Sequence, residues 1–235
     1  RKFFRNFIVM KKIFCALLLM TAVLGCGKGQ AQFTNNNWCF GDSAGIRFDS
    51  FFLFKSSSAV KRGTATISNI LGDLIFYGST ADVYTSSTGQ LKRGRLFNKN
   101  HNILFNGDGL SGVGWYHDML ILPKSVVDST FYVFVAGVVV PDTGLWYSIV
   151  DMKLQGGLGQ VVQKNVRYIN HPVQDMLAAV KHGNGRDWWL VTRRWRSQNP
   201  IDEFWVYLID STGINPLPVQ HVGLAHPDGA GDMSF

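Results

Sequence analysis

The chain has 235 residues, 13% of them aromatic and only 17% charged, with 25 Gly. That is long enough to bury a core in one or two domains, and the balance favours strands and tight turns over helices. The formal charge of +7 is concentrated: six of the 23 Lys and Arg (Arg1, Lys2, Arg5, Lys11, Lys12, Lys28) fall in residues 1–31, which hold no acid, and the other 17 face 16 Asp and Glu. A basic leader on a near-neutral body excludes a broad phosphate-binding surface, so no nucleic acid is expected as a partner.

Residues 1–9, RKFFRNFIV, precede a plausible start at Met10 and read as a spurious upstream extension. Met10-Lys11-Lys12 and the apolar run at 13–24, IFCALLLMTAVL, have the form of a signal peptide. Twelve residues fall short of the ~20 needed to span a bilayer. Gly29-Gln30-Ala31 supplies small residues for cleavage, which places the signal peptide at 10–31 and the start of the exported chain at Gln32. A second cut, after Val23-Leu24-Gly25, would instead leave a lipoprotein anchored through Cys26. Either way the expected location is outside the cell, secreted or on its outer surface. Membrane contact is expected only through the export signal or that lipid. Cleavage after Ala31 removes Cys15 and Cys26 and leaves Cys39, so neither an intramolecular disulfide nor a CxxC zinc site is expected.

After a polar segment at 33–37, Trp38-Cys39-Phe40-Gly41 and Ala44-Gly45-Ile46-Arg47-Phe48 read as one bent strand, and residues 51–54 as another. Ser56-Ser57-Ser58 through Gly63 reads as a loop. Strand-like runs then recur in groups bounded by turn residues. The first group is residues 64–68, 74–77 and 82–85; the second is 119–122, 131–134 and 145–151; the third is 177–180, 188–192 and 204–209. Their middle runs begin at Leu74, Phe131 and Trp188, two equal intervals along the chain, and Asp210-Ser211-Thr212-Gly213 echoes Ser86-Ser87-Thr88-Gly89. A period of this size with three or four strands per unit predicts propeller blades. The middle runs are apolar on both faces, as blades packed on each side require and as a sheet with one wet face does not. Residues 153–162 carry Gly156, Gly157 and Gly159, costly in a helix, and read as a loop or an outer edge strand. The fold class expected is therefore all-β: a partial β-propeller of antiparallel four-stranded blades, about three and a half of them over residues 32–235.

Four segments carry a resemblance: Trp38-Cys39-Phe40-Gly41; Gly63-Thr64-Ala65-Thr66-Ile67-Ser68; Val150-Asp151-Met152-Lys153-Leu154 with Gly156-Gly157-Leu158-Gly159; and Ala179-Val180-Lys181-His182-Gly183-Asn184-Gly185-Arg186-Asp187-Trp188-Trp189. Through them, residues 33–235 resemble the N-terminal, WD40-like propeller of large exported proteins of Bacteroidetes-type bacteria, many labelled gliding-motility-associated. The resemblance implies further blades, adhesion-type modules and a C-terminal signal for type IX secretion, so the chain is read as an N-terminal fragment. It brings no catalytic residues and no cofactor.

Among candidate sites, His221, His226 and Asp228 lack a completing ligand and read as solvated loop residues rather than a metal centre. His182 in HGNGRD reads as part of a hairpin turn. Gly107-Asp108-Gly109 with Gly112 and Gly114 lacks the residues of a phosphate loop and reads as flexible. Asn106-Gly107-Asp108-Gly109 and residues 228–232 lack the spaced acids of a calcium loop. No G-x-S-x-G elbow occurs, and Glu203 is the sole Glu. Trp188 and Trp189 are expected between blades. Trp195 and Arg196, near a strand end, are the expected ligand-surface pair. These features predict a non-enzymatic exported propeller, a binding or scaffold module with a protein or glycan partner at the cell surface, gliding- or adhesion-associated. The alternative is an extracellular hydrolase or lyase acting on glycans or peptides on the same scaffold, which for glycosidase chemistry needs two carboxylates across a cleft.

Overall fold

The structure is a computed structural model that describes residues 34–59, 62–80, 93–124, 129–138, 141–195 and 201–226. The signal-peptide and lipid-site expectations, the run at 82–85, Arg196 and residues 228–232 lie outside the described residues.

The described chain is all-β. β1 (Asn37–Phe40), β2 (Asp42–Arg47) and β3 (Phe52–Ala59) form a three-stranded antiparallel sheet. β4 (Thr64–Ser68), β5 (Leu74–Ser79), β6 (Gly94–Asn98) and β7 (Ile103–Leu110) then pair in succession, all antiparallel. β8 (Met119–Pro123), β9 (Thr130–Gly137), β10 (Gly144–Asp151) and β11 (Gln160–Ile169) repeat the arrangement. A parallel pairing of Phe105 with Gln160 joins β7 to β11, giving one eight-stranded sheet. Its end strands β4 and β8 come back into contact, so the sheet folds over on itself. β12 (Ala178–Lys181), β13 (Trp188–Arg193), β14 (Ile201–Asp210) and β15 (Gly213–Pro216) form the last meander, and β16 (Gln220–His226) pairs beside β14.

The three evenly spaced runs thus fall in β5, β9 and β13, the second strand of each meander. Successive residues on a strand point to opposite faces, and β9 shows where each set goes. Phe131, Val133 and Val135 pack with Met119 on the neighbouring β8 and with Phe76, Leu96, Leu104 and Leu110 from the other half of the folded sheet. Tyr132, Phe134 and Ala136 pack with Leu145, Ile169, Leu190, Tyr207 and Ile209, joining β8–β11 to the last meander. β5 divides likewise: Phe76 faces the first cluster, and Tyr77 meets Cys39, Phe97 and Phe54 beneath the first sheet. Each fully buried side chain of this size stabilises the fold by about 1.5–3 kcal/mol.

Several local expectations are corrected. The segment around Gly41 is a hairpin of two strands rather than one bent strand: Phe40 pairs with Ala44, and Gly41 adopts φ 54° at the turn. Ser56, Ser57 and Ser58 belong to β3 rather than a loop. Ser56 and Ser58 are buried, and the Ser57 N–H donates to Tyr77 Oη (2.7 Å) while its hydroxyl donates to the His101 carbonyl (2.7 Å), so tertiary partners override the weak strand preference of serine. Residues 106–109 lie in β7 and not in a flexible loop. Asp108 accepts from Arg95 Nε at 2.9 Å, and Asn106 Oδ1 from Lys164 Nζ at 2.7 Å. The last sheet has five strands and the first three, so the strand count per sheet is not uniformly four. The glycine-bearing stretch before β11 makes a single 3-10 turn, Gln155–Gly157, and β11 follows as the outermost strand of its meander.

Candidate ligand cleft and a buried carboxyl pair

Strand β13 ends at Arg193, and its continuation packs along the segment between β11 and β12. The Trp195 N–H donates to the Pro172 carbonyl (3.0 Å), and Val173 bridges Arg194. Trp195 is half-buried there. The other Trp and Arg side chains of this strand do not gather around Trp195. Trp188 packs in the layer between β8–β11 and the last meander, whereas Trp189 faces the opposite side beside His182. Arg193 is buried over the Phe204 ring, and Arg194 faces Glu203 at 3.6 Å.

Pro172 is next to His171, and His171 lines an open cleft of about 540 Å³. The end of β11 brings Arg167, Tyr168 and Ile169 to it, β14 brings Trp205 and Tyr207, and the end of β15 brings Pro216. Trp205 and Tyr207 share a face because they are two apart on one strand. Tyr168 meets Tyr207 edge-on at 5.4 Å, and its hydroxyl donates to the Ile214 carbonyl (3.2 Å). His171 packs edge-on against Trp205 at 4.2 Å; its Nδ1 and the indole Nε1 are buried without a hydrogen-bond partner among the described residues. Burial holds the His171 pKa below its ordinary value and pushes that of Tyr207 up, so both are neutral near pH 7. Nη2 of Arg167 donates to the Thr143 carbonyl (2.6 Å), the Thr143 hydroxyl (3.0 Å) and the Asn170 carbonyl (3.2 Å), and the guanidinium stands 5.3 Å from the Trp146 ring. The cleft is aromatic, carries one fixed cation and is lined by no carboxylate among the described residues.

Comparison of the chain with known protein families, with curated proteins and with solved structures finds no match in any of the three.

A second constellation ties the meanders together where β4, β8 and β12 begin. The Leu177 N–H donates to the His117 carbonyl (2.9 Å), and the Thr80 N–H to that of Gly63 (3.0 Å). Between them Asp118 is fully buried, its Oδ2 accepting from the Gly114 N–H at 2.9 Å. Its Oδ1 has no hydrogen-bond partner among the described residues, because the neighbouring Thr80 hydroxyl donates to the Gly63 carbonyl (3.2 Å). A Cβ at Gly63 would collide with that oxygen, so only glycine fits there. Burial pushes the Asp118 carboxyl up to about 7; the Gly114 N–H opposes the shift, and Asp175 adds to it. Asp175 Oδ2 in turn accepts from the Trp115 N–H (2.6 Å) and the Tyr116 N–H (3.1 Å). The loop so clamped carries Arg62 over the Trp115 ring at 4.1 Å. The signal for this pair was in the sequence. Asp118-Met119 and Asp175-Met176 are separated by the same interval as the core strands, and Asp232-Met233 follows one interval later.

The remaining histidines are held locally. His182 opens the 182–187 turn, where Asn184 Oδ1 accepts the Arg186 and Asp187 N–H groups, as hairpin chemistry predicts. His221 pairs with Asp202 at 2.8 Å. The His226 side chain and Asp228 lie outside the described residues. Among the described residues, no group of three or more His, Cys, Asp or Glu is placed to hold a metal ion.

Proposed function

We propose that the chain is part of an exported β-propeller serving, without catalysis of its own, as a binding or scaffold module of a cell-surface or secreted protein, gliding- or adhesion-associated. The observation that carries the reading is the succession of three antiparallel meanders, β4–β7, β8–β11 and β12–β15, packed through apolar layers with their second strands evenly spaced along the chain. Blades of one ring stack on their neighbours through such layers; here β7 and β11 also join the first two meanders into one sheet. The Asp118 and Asp175 carboxyls repeat with the same period at the starting ends of β8 and β12, which adds a polar element to the unit.

The uncovered faces support the same reading. On the first sheet Trp38 (55% exposed), Phe40 and Leu53 face solvent, opposite the side that packs on Tyr77. On the last sheet Val180 (64% exposed) pairs with Trp189, which pairs with Leu208, all on the side away from the core. Apolar faces of this kind mark interfaces, and neighbouring blades would cover them.

External protease on intact cells making the full-length protein tests the export half. Loss of the protein while cytoplasmic markers persist supports the reading; protection until the envelope is breached overturns it.

A further inference from the structure

We propose that the turn joining β2 to β3 and the turn joining β4 to β5 form one lipid-facing end of the protein, their exposed Phe, Ile and Leu side chains entering the surface of an anionic phospholipid bilayer. The inference goes beyond the binding-module reading and is separate from any leader or lipid anchor. Between β4 and β5, the turn is made by Asn69, Gly72 and Asp73. Asn69 Oδ1 accepts the Leu71 and Asp73 N–H groups (2.9 Å each), and Gly72 takes φ 88°. The side chains of Ile70 and Leu71 (71% exposed) have no part in that chemistry, although turn tips ordinarily carry polar residues. The turn between β2 and β3 repeats the anomaly. Arg47 donates to Asp49 from Nε and Nη2 (2.8 Å each), and beyond that pair Phe48, Phe51 (74% exposed) and Phe52 face solvent. Phe51 takes φ 47°, an unfavourable conformation for a bulky residue.

The two tips are held side by side. Asn36, which is buried, donates from Nδ2 to the Gly72 carbonyl (3.0 Å) and accepts the Asp49 N–H at Oδ1 (2.9 Å), and Arg47 Nη1 reaches Asp73 at 3.5 Å. They lie at the strand ends opposite Gly63, Thr80 and Asp118. A neighbouring blade, which stacks on sheet faces, would leave them bare. Charge points to the occupant. Asp49 and Asp73, the carboxylates on these turns, both face Arg47. Lys55 on β3 and Lys99 on the next turn, whose His101 ring stacks on Phe54 at 5.5 Å, are exposed without a partner among the described residues. This end is therefore apolar at its tips and positive at its margin, complementary to anionic head groups over an apolar interior. Trp38, edge-on to Phe48 at 5.1 Å, adds an indole of the kind that favours the head-group region. Separate projecting side chains suit a surface that yields around them; a folded partner would need a pocket for each.

Hydrogen exchange read by peptide mass analysis tests this on the full chain, with vesicles of phosphatidylcholine alone or with an equal part of phosphatidylglycerol. The readout is local, because the apolar run at 13–24 can itself hold the chain on a bilayer. Anionic vesicles should slow exchange at residues 47–53 and 69–73 about tenfold and leave 115–117, at the other end, unchanged. Phosphatidylcholine alone should protect less. Phe51→Asn with Leu71→Ser should abolish the protection and leave the melting temperature in place, since both side chains are exposed and Asn tolerates positive φ. Should that variant lose its melting transition, the comparison of the two vesicles on the unaltered chain decides. Protection limited to the leader, equal protection by both vesicles, protection that survives the double substitution, or none at the tips would each overturn the proposal. So would tip protection that rises with protein concentration in the absence of lipid, which would assign the tips to a second copy of the chain.

Discussion

Replacing Asp118 by Asn should make the protein more stable at pH 8 and leave it nearly unchanged at pH 4. The Asp118 carboxyl is fully buried, its folded-state value is pushed from 3.8 to about 7, and its Oδ1 has no partner among the described residues. Between those two values the folded state keeps a proton that the unfolded chain has released. Stability therefore falls as pH rises through that window, by about 1.4 kcal/mol per unit, and the loss is complete above pH 7. The whole effect is on the order of 4 kcal/mol, a large share of a typical 5–15. Asn is neutral throughout, and its carbonyl can still accept the Gly114 N–H, so the substitution should remove this slope. Other groups do not mimic the difference. Asp49, Asp187, Asp202 and Asp210 have depressed values, so what they contribute is lost only as pH falls below about 4. His221, raised by Asp202, contributes stability present below its unfolded value and lost as pH rises through the folded one, the same sign as Asp118. It is an exposed pair present in both proteins, and it cancels in the comparison. Urea unfolding from pH 4.5 to 8.5 measures both curves. Parallel pH profiles for wild type and Asp118→Asn would refute the reasoning.

Phe76→Ala should cost about 3–5 kcal/mol by urea unfolding, because Phe76 is fully buried between the halves of the folded sheet, edge-on to Phe131 at 5.3 Å; a loss too small to measure would mean those halves do not pack. Asn37→Ala should cost about 1–3 kcal/mol, since its Nδ2 donates to Ser68 Oγ (3.0 Å) and the Gly72 carbonyl (2.7 Å), tying β1 to the β4–β5 turn. Cys39, buried and with its thiol pushed up to about 12, should resist iodoacetamide until urea unfolds the chain, as peptide mass analysis would show. Leu53→Glu with Val180→Glu, on the two uncovered faces, should raise the concentration at which light scattering reports a single species while leaving the melting temperature within a few degrees.

The strands that the sequence showed most plainly are those whose residues are apolar on both sides. Residues 131–134, buried on two faces, and 188–192, apolar on both with one face uncovered, could be placed because neither run shows a polar alternation to confuse with a surface strand. The strands it concealed are stabilised from elsewhere. Ser56, Ser57 and Ser58 read as loop residues, and their strand exists because Tyr77 and His101, far along the chain, supply hydrogen-bond partners. Residues 106–109 carry two glycines and an Asn at φ 58°, turn chemistry by composition, yet Lys164 and Val161 on β11 hold that Asn within β7.

The cleft was beyond sequence reading for a related reason. Arg167 and Trp205 are distant in the sequence, and neither belongs to a motif; they meet because β11 is outermost in its meander while β14 lies inside the next. Trp195 was within reach because it ends a strand, where rim residues collect. Its N–H donates to the Pro172 carbonyl, next to His171, but Trp195 is not among the residues that line the cleft. Asp118 and Asp175 were the opposite case, plain in the sequence once the strand period is applied to polar residues as well as apolar ones. A repeat identified through its core strands predicts equivalent positions for every residue in the unit. A carboxyl that recurs with the core is therefore explained first by what it holds, here the backbone of Gly114, Trp115 and Tyr116, before any chemistry is asked of it. Arg167 has no counterpart at that spacing, because Leu110 and Leu224 occupy the positions one period before and one period after it. Its neighbours on β11 share that lack, for Tyr168 has Ser111 and Ala225 and Ile169 has Gly112 and His226 at the same intervals, so the period belongs to the core strands and not to this outer one.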